Sequence, residues 1–216
     1  KPLRQKSKNP TFALTYQGTF ATLIKQCGFT PELAKSIEHE YHVLYKVSDD
    51  WIQDKLEKAT QTGYVTLAFG LRLRTHVLKQ VVLNTSKTPQ VASAEGRTAG
   101  NALGQSWGLL NNRAASEFMG KVRQSEFKNH IKPCAQIHDA QYMLIKDNMK
   151  CLLYVNKHLV KAVQWQEHPL IQHDKVKMSG EVSIFYPTWA EEMVIPNNAE
   201  PKQIRTLIKK HKESLV

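Results

Sequence analysis

The chain has 216 residues, of which 41% are hydrophobic, so it is long enough for one large domain or two small ones with a buried core. Its 30 lysines and arginines exceed its 19 aspartates and glutamates, which gives a formal net charge of +11. This excess favours a polyanionic partner, nucleic acid first and an acidic membrane surface second. No apolar run approaches the roughly 18 residues that span a bilayer, which excludes an integral membrane protein of the helical kind.

The three cysteines, Cys27, Cys134 and Cys151, are dispersed and show no Cys-x-x-Cys spacing. Such a set is typical of free, buried or inert thiols in a reducing compartment. Together with the lack of a membrane span, it predicts a cytoplasmic protein.

Near the start of the chain, Arg4, Lys8, Phe12 and Tyr16 stand four residues apart. Each step of four advances about 40° round a helix, so these side chains form one row, which we call the α1 row. Two cations one turn apart suit a polyanion, the rings suit a base or sugar, and the helix dipole favours phosphate at this end. The row therefore predicts a binding site for a nucleoside triphosphate. From the spacing alone, the alternative is a solvated cationic face followed by aromatic core residues.

Pro10 lies within this row, and an interior proline removes one backbone hydrogen bond. We therefore expect the regular helix to begin only near Pro10 and to end by Gly28. Thr30 and Pro31 then predict a new helix start. We expect one long or two abutting helices over about 31–61, with their apolar residues in the core.

The segment from Gly63 to Thr75 alternates around a central glycine and predicts a β-hairpin. Arg72 and Arg74 lie on one face of its second strand, where they contact phosphates or are simply solvated. The polar stretch 84–90 predicts a loop.

A long helix is predicted over 95–127, and its first part carries Arg97, Asn101 and Gln105 four apart on one face, which we call the α6 row. These side-chain types donate hydrogen bonds to the minor-groove acceptors that every base pair presents, so the row predicts sequence-independent contact with duplex DNA. A parallel row of glycines predicts either close approach of another backbone or a small-residue packing seam: Gly96, Gly100, Gly104.

Two apolar strands, about 133–138 and 141–146, meet at a tight turn that holds His138 and Asp139. A carboxylate fixed at a strand tip suits metal-assisted displacement, and its hard oxygen suits Mg²⁺. The same pair alone is also typical of an ordinary hairpin turn.

The rest of the chain predicts a helix over 149–166 and a strand over 176–186. The charged stretch 199–216 predicts a marginal helix or tail that binds DNA phosphates nonspecifically.

In their order and spacing, these motifs resemble the family A (Pol I-type) DNA polymerases over about residues 4–190. The α1 row is similar to motif B of the dNTP-gripping fingers helix, the α6 row to the primer-template helix, and the His-Asp turn to motif C. Gln17 separates the family's Tyr-Gly pair, and Ala140 replaces the acid of its His-Asp-Glu. These departures resemble a divergent phage branch, which would place the protein in the host cytoplasm.

The resemblance implies an α+β fold in which long fingers helices are followed by an antiparallel palm sheet packed on helices. It implies a fingers portion over 1–62, a palm portion over 63–198 and a basic C-terminal tail over 199–216. It also implies addition of dNTPs to a primer 3′ end by two-metal nucleotidyl transfer, with Mg²⁺ as cofactor and primer-template DNA and dNTP as partners.

By the same resemblance, Arg4 and Lys8 bind the β- and γ-phosphates, and Lys8 takes part in catalysis. Phe12 stacks against the dNTP sugar, and Tyr16 stacks beside the templating base.

The DNA side of the site is implied in the same way. Arg97, Asn101 and Gln105 contact the duplex, His138 hydrogen-bonds near the primer terminus, and Asp139 is the catalytic Mg²⁺ ligand.

In the family's order, the first metal aspartate (motif A) and the thumb precede Lys1. We therefore expect this chain to be inactive until an upstream portion carrying them joins it, in cis or in trans. Two alternatives remain: a fragment of a single-subunit phage-type RNA polymerase, which shares a Lys-x7-Tyr-Gly helix and a His-Asp hairpin, or a non-catalytic basic DNA-binding module.

Overall fold

A computed structural model of the protein describes residues 2–82 and 89–214. The chain divides into two compact units, Lys1–Trp107 and Gly108–Val216. Among the described residues, the first has two buried apolar clusters and the second has one. Within the described ranges, no helix is long and apolar enough to cross a bilayer.

The N-terminal unit is mainly helical and contains a short antiparallel hairpin. The hairpin pairs β1 (Tyr64–Thr66) with β2 (Arg72–Arg74). The helices of this unit are α1 (Pro2–Thr15), α2 (Phe20–Cys27), α3 (Pro31–Leu44), α4 (Lys46–Thr62), α5 (His76–Val82) and α6 (Pro89–Gln105).

Local signals explain most boundaries in this unit. The Thr30 hydroxyl accepts a hydrogen bond from the Leu33 amide at the start of α3, and Pro31 occupies the first turn, as predicted. Gly63 ends α4 with a φ of 80°, a left-handed conformation that favours glycine. The two abutting helices over 31–61 and the hairpin that follows are thus confirmed.

Other expectations for this unit were wrong. The first helix does not begin near Pro10: α1 runs through this residue, which is buried, so packing outweighs the lost backbone bond. The chain also forms a separate helix, α2, before Gly28. Leu44 and Val47 lie exposed at the α3–α4 junction instead of in the core.

The C-terminal unit packs helices against small antiparallel sheets. Its strands pair as β3 (Ile131–Ile137) with β4 (Ala140–Ile145), and β5 (Val182–Phe185) with β6 (Glu192–Ile195). Its helices are α7 (Leu109–Arg123), α8 (Met149–Val163) and α9 (Pro201–Glu213). The largest fully buried side chains include Phe118 of α7, Ile131 of β3 and Ile204 of α9. Helix α9 therefore belongs to this core.

The predicted helix over 95–127 is broken. A short 3₁₀ turn at Ser106–Gly108 separates α6 from α7, and the boundary between the two units falls there. Helix α6 already begins at Pro89, so the expected loop is helical at 89–90, while 83–88 lie outside the described residues. The strand expected over 176–186 is confined to β5.

The fold class is confirmed as α+β, with long helices followed by antiparallel strands packed on helices. The fingers, palm and tail portions stay a prediction. The cysteines are free, as predicted, but Cys134 is exposed.

Candidate nucleotide and DNA site

The α1 row is exposed to solvent and is not part of the core. Phe12 and Tyr16 are 46% and 49% exposed, and their rings stack at 6.1 Å with an interplanar angle of 15°. Lys8 Nζ lies 5.7 Å from the centre of the Phe12 ring. The opposite face of α1 buries Leu14. The side chain of Arg4 lies outside the described part of the structure. The row thus presents a cation and two stacked rings to solvent.

The end of α1 forms a Schellman motif directly after Tyr16. The Gly18 amide donates to the Ala13 carbonyl at 2.9 Å, and the Gln17 amide donates to the Leu14 carbonyl at 3.0 Å. Gln17 has a φ of 61°, so it occupies the left-handed position where the resembled family carries glycine. A Cβ on Gly18 would lie 2.5 Å from the Ala13 carbonyl oxygen, so no side chain fits there.

The α6 row is only partly open to solvent. Arg97 and Gln105 are exposed, whereas Asn101 is half-buried and its Oδ1 is buried without a hydrogen-bond partner among the described residues. Arg97 and Gln105 are therefore accessible from solvent, whereas Asn101 is partly covered by the protein.

The glycine row of α6 has side chains rather than another backbone beside it. A Cβ on Gly100 would lie 3.4 Å from Ile52 Cγ2 and 3.5 Å from Gln17 Cδ, and one on Gly96 would lie 3.6 Å from Leu78 Cδ2. This part of the row is a small-residue packing seam. Gly104, by contrast, has open space before it.

The β3–β4 hairpin places His138 and Asp139 at its tip, as predicted. Ile137 pairs with Ala140, so His138 and Asp139 form the whole loop. His138 has a φ of 52°, and both side chains are exposed. The hairpin therefore projects an imidazole and a carboxylate into solvent from a tightly restricted turn.

Two asparagines of α7 hold this hairpin, and sequence reasoning missed them. Asn111 Nδ2 donates to the His138 carbonyl at 3.2 Å, and Gln141 Nε2 donates to Asn111 Oδ1 at 2.7 Å. Gln136 Nε2 donates to Asn112 Oδ1. Because their partners lie 24 to 30 residues along the chain, spacing carries no sign of this role. The adjacent Asn-Asn pair in the first helical turn is the only hint in the sequence.

Asp139 places a single carboxylate at the hairpin tip. Among the described residues, no group of three His, Cys, Asp or Glu side chains is arranged to hold one. Mg²⁺ takes one or two carboxylates and completes its shell with water and substrate phosphate. Asp139 fits that chemistry as one ligand.

No protein-family model matches the chain, and no curated protein matches it in sequence. Among solved structures, it is similar to the POL domain of Pol1 from M. smegmatis, determined in complex with DNA primer-template and dNTP. The TM-score is 0.61 and the sequence identity is 21%. The fold is polymerase-like. The match covers 75% of this chain but only 28% of the Pol1 chain, so this chain spans under a third of that polymerase structure.

Proposed function

We propose that the chain is the C-terminal part of a template-directed DNA polymerase of a phage-like branch of family A, acting in the cytoplasm. The observation that carries the proposal is the exposed α1 row, because a cation and two stacked rings stand free of the core in a chain with a polymerase-like fold.

In this proposal, α1 binds the incoming dNTP. Lys8 neutralises the β- and γ-phosphates together with Arg4, whose planar guanidinium suits bidentate contact with phosphate oxygens. Phe12 packs against the sugar and Tyr16 beside the templating base. The stacked, exposed rings support these two roles, since a base or sugar gains contact area on them without displacing core residues.

The α6 row and the hairpin tip would serve the DNA. Arg97 and Gln105, both exposed, would donate to minor-groove acceptors alongside Asn101. His138 would hydrogen-bond near the primer terminus. Asp139 would hold Mg²⁺, which, when bound, supplies charge neutralisation at the reacting phosphate. A second carboxylate, with the thumb, would come from an upstream portion in cis or in trans.

Nucleotide binding by the α1 row is tested by steady-state primer extension with Lys8→Ala and Lys6→Ala. The enzyme in this assay is the chain together with the upstream portion, which we call the full assembly. Lys6 is an exposed lysine of the same helix that lies off the row. Hydrogen bonds to charged groups contribute about 1.5–3 kcal/mol, so Lys8→Ala should lower kcat/KM for dNTP about 10- to 150-fold, and Lys6→Ala should not. Equal effects of the two substitutions on kcat/KM would contradict nucleotide binding by the α1 row.

The same assay separates the other two readings of the sequence. Extension with rNTPs in preference to dNTPs would identify an RNA polymerase. Nucleic-acid binding without extension by any assembly would identify a non-catalytic module.

A further inference from the structure

Three aromatic side chains form a surface on the C-terminal unit that has no role in the proposed nucleotidyl transfer. We call this surface the aromatic platform: Tyr142, Phe185, Trp189. Trp189 stacks on Phe185 at 5.2 Å and 14°, and on Tyr142 at 4.8 Å and 29°. Trp189 nevertheless remains 63% exposed, and Tyr186, which follows Phe185 in the chain, is 54% exposed.

Exposed rings that are already held in place by stacking are well suited to bind a flat ligand. Their orientation is fixed before binding, so little rotamer entropy is lost when a base is added. A contiguous group of exposed large apolar side chains also marks an interaction site more often than scattered ones do.

Helix α9 presents a row of cations beside this platform. Lys202, Arg205, Lys209 and Lys212 follow one another at intervals of three or four residues and so share one face. The opposite face carries Ile204, which is fully buried. Lys209 pairs with Glu213 at 3.8 Å, and its side chain is still 80% exposed. The other three cations have no carboxylate within 4.0 Å among residues 2–82 and 89–214.

Direct contacts join the cation row to Tyr186, the residue that follows Phe185 of the platform. Lys212 Nζ lies 5.7 Å from the centre of the Tyr186 ring, and His211 Nε2 donates to the Tyr186 carbonyl at 2.9 Å. Across the β5–β6 ladder, Glu192 pairs with Phe185. The cations of α9 are therefore the favourable side for a polyanion.

We propose that this surface binds single-stranded nucleic acid, with bases stacked on the aromatic platform and phosphates along the α9 cations. Aromatic rings bound to bases and cations bound to the backbone are the two elements that sequence-tolerant single-strand binding requires. A duplex has its bases paired and stacked internally, so it satisfies only the cations. A membrane surface is disfavoured because the apolar face of α9 is buried in the core and cannot insert. The proposal does not depend on catalysis by this chain.

The test is fluorescence anisotropy of labelled dT20 titrated with the purified chain. Trp189→Ala should weaken binding about 5- to 150-fold, the range measured for removal of one base-stacking ring. The matched control is Trp51→Ala, since Trp51 is 39% exposed on α4 of the other unit; it should leave the affinity unchanged. Trp189→Phe keeps a ring and should restore most of the affinity, with circular dichroism reporting that each variant is folded.

The cations are tested through the salt dependence. The pair Lys209→Gln and Lys212→Gln should reduce the slope of log K against log salt by about 1.4, since each phosphate contact on a single strand contributes about 0.7. The pair Lys46→Gln and Lys58→Gln, on two exposed lysines of α4, should leave the slope unchanged.

The proposal is overturned if Trp189→Ala binds dT20 as tightly as Trp51→Ala does, or if the Lys209 and Lys212 variant keeps the wild-type salt slope. It is also overturned if Trp189→Ala loses as much affinity for a blunt duplex as for dT20. Asp139→Ala should leave dT20 binding intact whether or not the assembly extends primers, so failure of the polymerase proposal and failure of this one give different results.

Discussion

Asn111 should control the rigidity of the hairpin that carries His138 and Asp139. Its side chain makes two hydrogen bonds to that hairpin, one to the His138 carbonyl and one from Gln141 Nε2. Asn111→Ala removes both. Gln141 Nε2 keeps a bond to the Asn111 backbone carbonyl at 2.9 Å, so the loss is partial on that side.

The expected cost follows from these contacts. Each bond contributes about 0.5–1.5 kcal/mol net, and one partner is retained in part, so Asn111→Ala should lower the local free energy of opening by about 1–2 kcal/mol. Asn111→Asp is the matched control. It keeps the acceptor for Gln141 and loses only the donor to an exposed carbonyl. Its charge lies in the first turn of α7, where the helix dipole contributes about 0.3–1 kcal/mol in its favour. We expect Asn111→Asp to lose less protection than Asn111→Ala, because it keeps one of the two side-chain hydrogen bonds.

Amide hydrogen exchange measures this directly. In Asn111→Ala, protection of the β3 and β4 amides should fall about 5- to 30-fold, the equivalent of that free energy, while α8 amides stay unchanged. Equal protection in Asn111→Ala and wild type, or equal loss in Asn111→Ala and Asn111→Asp, would refute the assignment of Asn111 as the anchor of the hairpin.

Three further outcomes follow from the structure. Gly18→Ala should lower the free energy of unfolding by more than about 1 kcal/mol in urea titrations, because its Cβ meets a carbonyl oxygen. Gly104→Ala should raise the free energy of unfolding by up to about 1 kcal/mol, because this glycine lies in a helix with open space around it. Phe12→Tyr should increase ddNTP incorporation by the full assembly about 2- to 13-fold, because a hydroxyl there fills the gap left by a missing 3′-OH and one hydrogen bond contributes about 0.5–1.5 kcal/mol. An unchanged ratio of ddNTP to dNTP use would contradict the sugar contact. The hydrogen bond from Lys121 holds the pKa of Glu117 below its ordinary value of 4.5. The stability difference between wild type and Glu117→Gln should therefore be present at pH 7 and disappear as the pH falls below 4.5 through the lowered pKa; a difference that persists unchanged at pH 2 would contradict this.

Local chemistry made several elements predictable from sequence. The cap at Thr30, the left-handed glycine at position 63 and the two-residue turn at His138-Asp139 each depend on residues within one or two turns of the chain. The positions of Phe12 and Tyr16 on a helix and of Asp139 at a strand tip followed from such signals, whereas the helix before Pro10 was not expected.

Long-range contacts decided what the sequence did not predict. Helical periodicity continues on both sides of Ser106, but the Ser106 hydroxyl accepts a hydrogen bond from the Ala68 amide 38 residues earlier, at the break between α6 and α7. The anchoring of the hairpin by Asn111 is of the same kind. The exposure of a side chain also depends on tertiary packing. The spacing of Phe12 and Tyr16 suits a core as well as a binding surface, and only packing distinguishes the two.

The central claim is that Asp139 takes part in nucleotidyl transfer by the full assembly. It is tested most directly by single-turnover primer extension with Asp139→Ala beside Asp147→Ala, an exposed aspartate just after β4. The account predicts that Asp139→Ala abolishes extension while primer-template binding persists, that Asp147→Ala extends as wild type, and that the 216-residue chain alone extends nothing. Extension by the Asp139→Ala assembly, or by the chain alone, would contradict it.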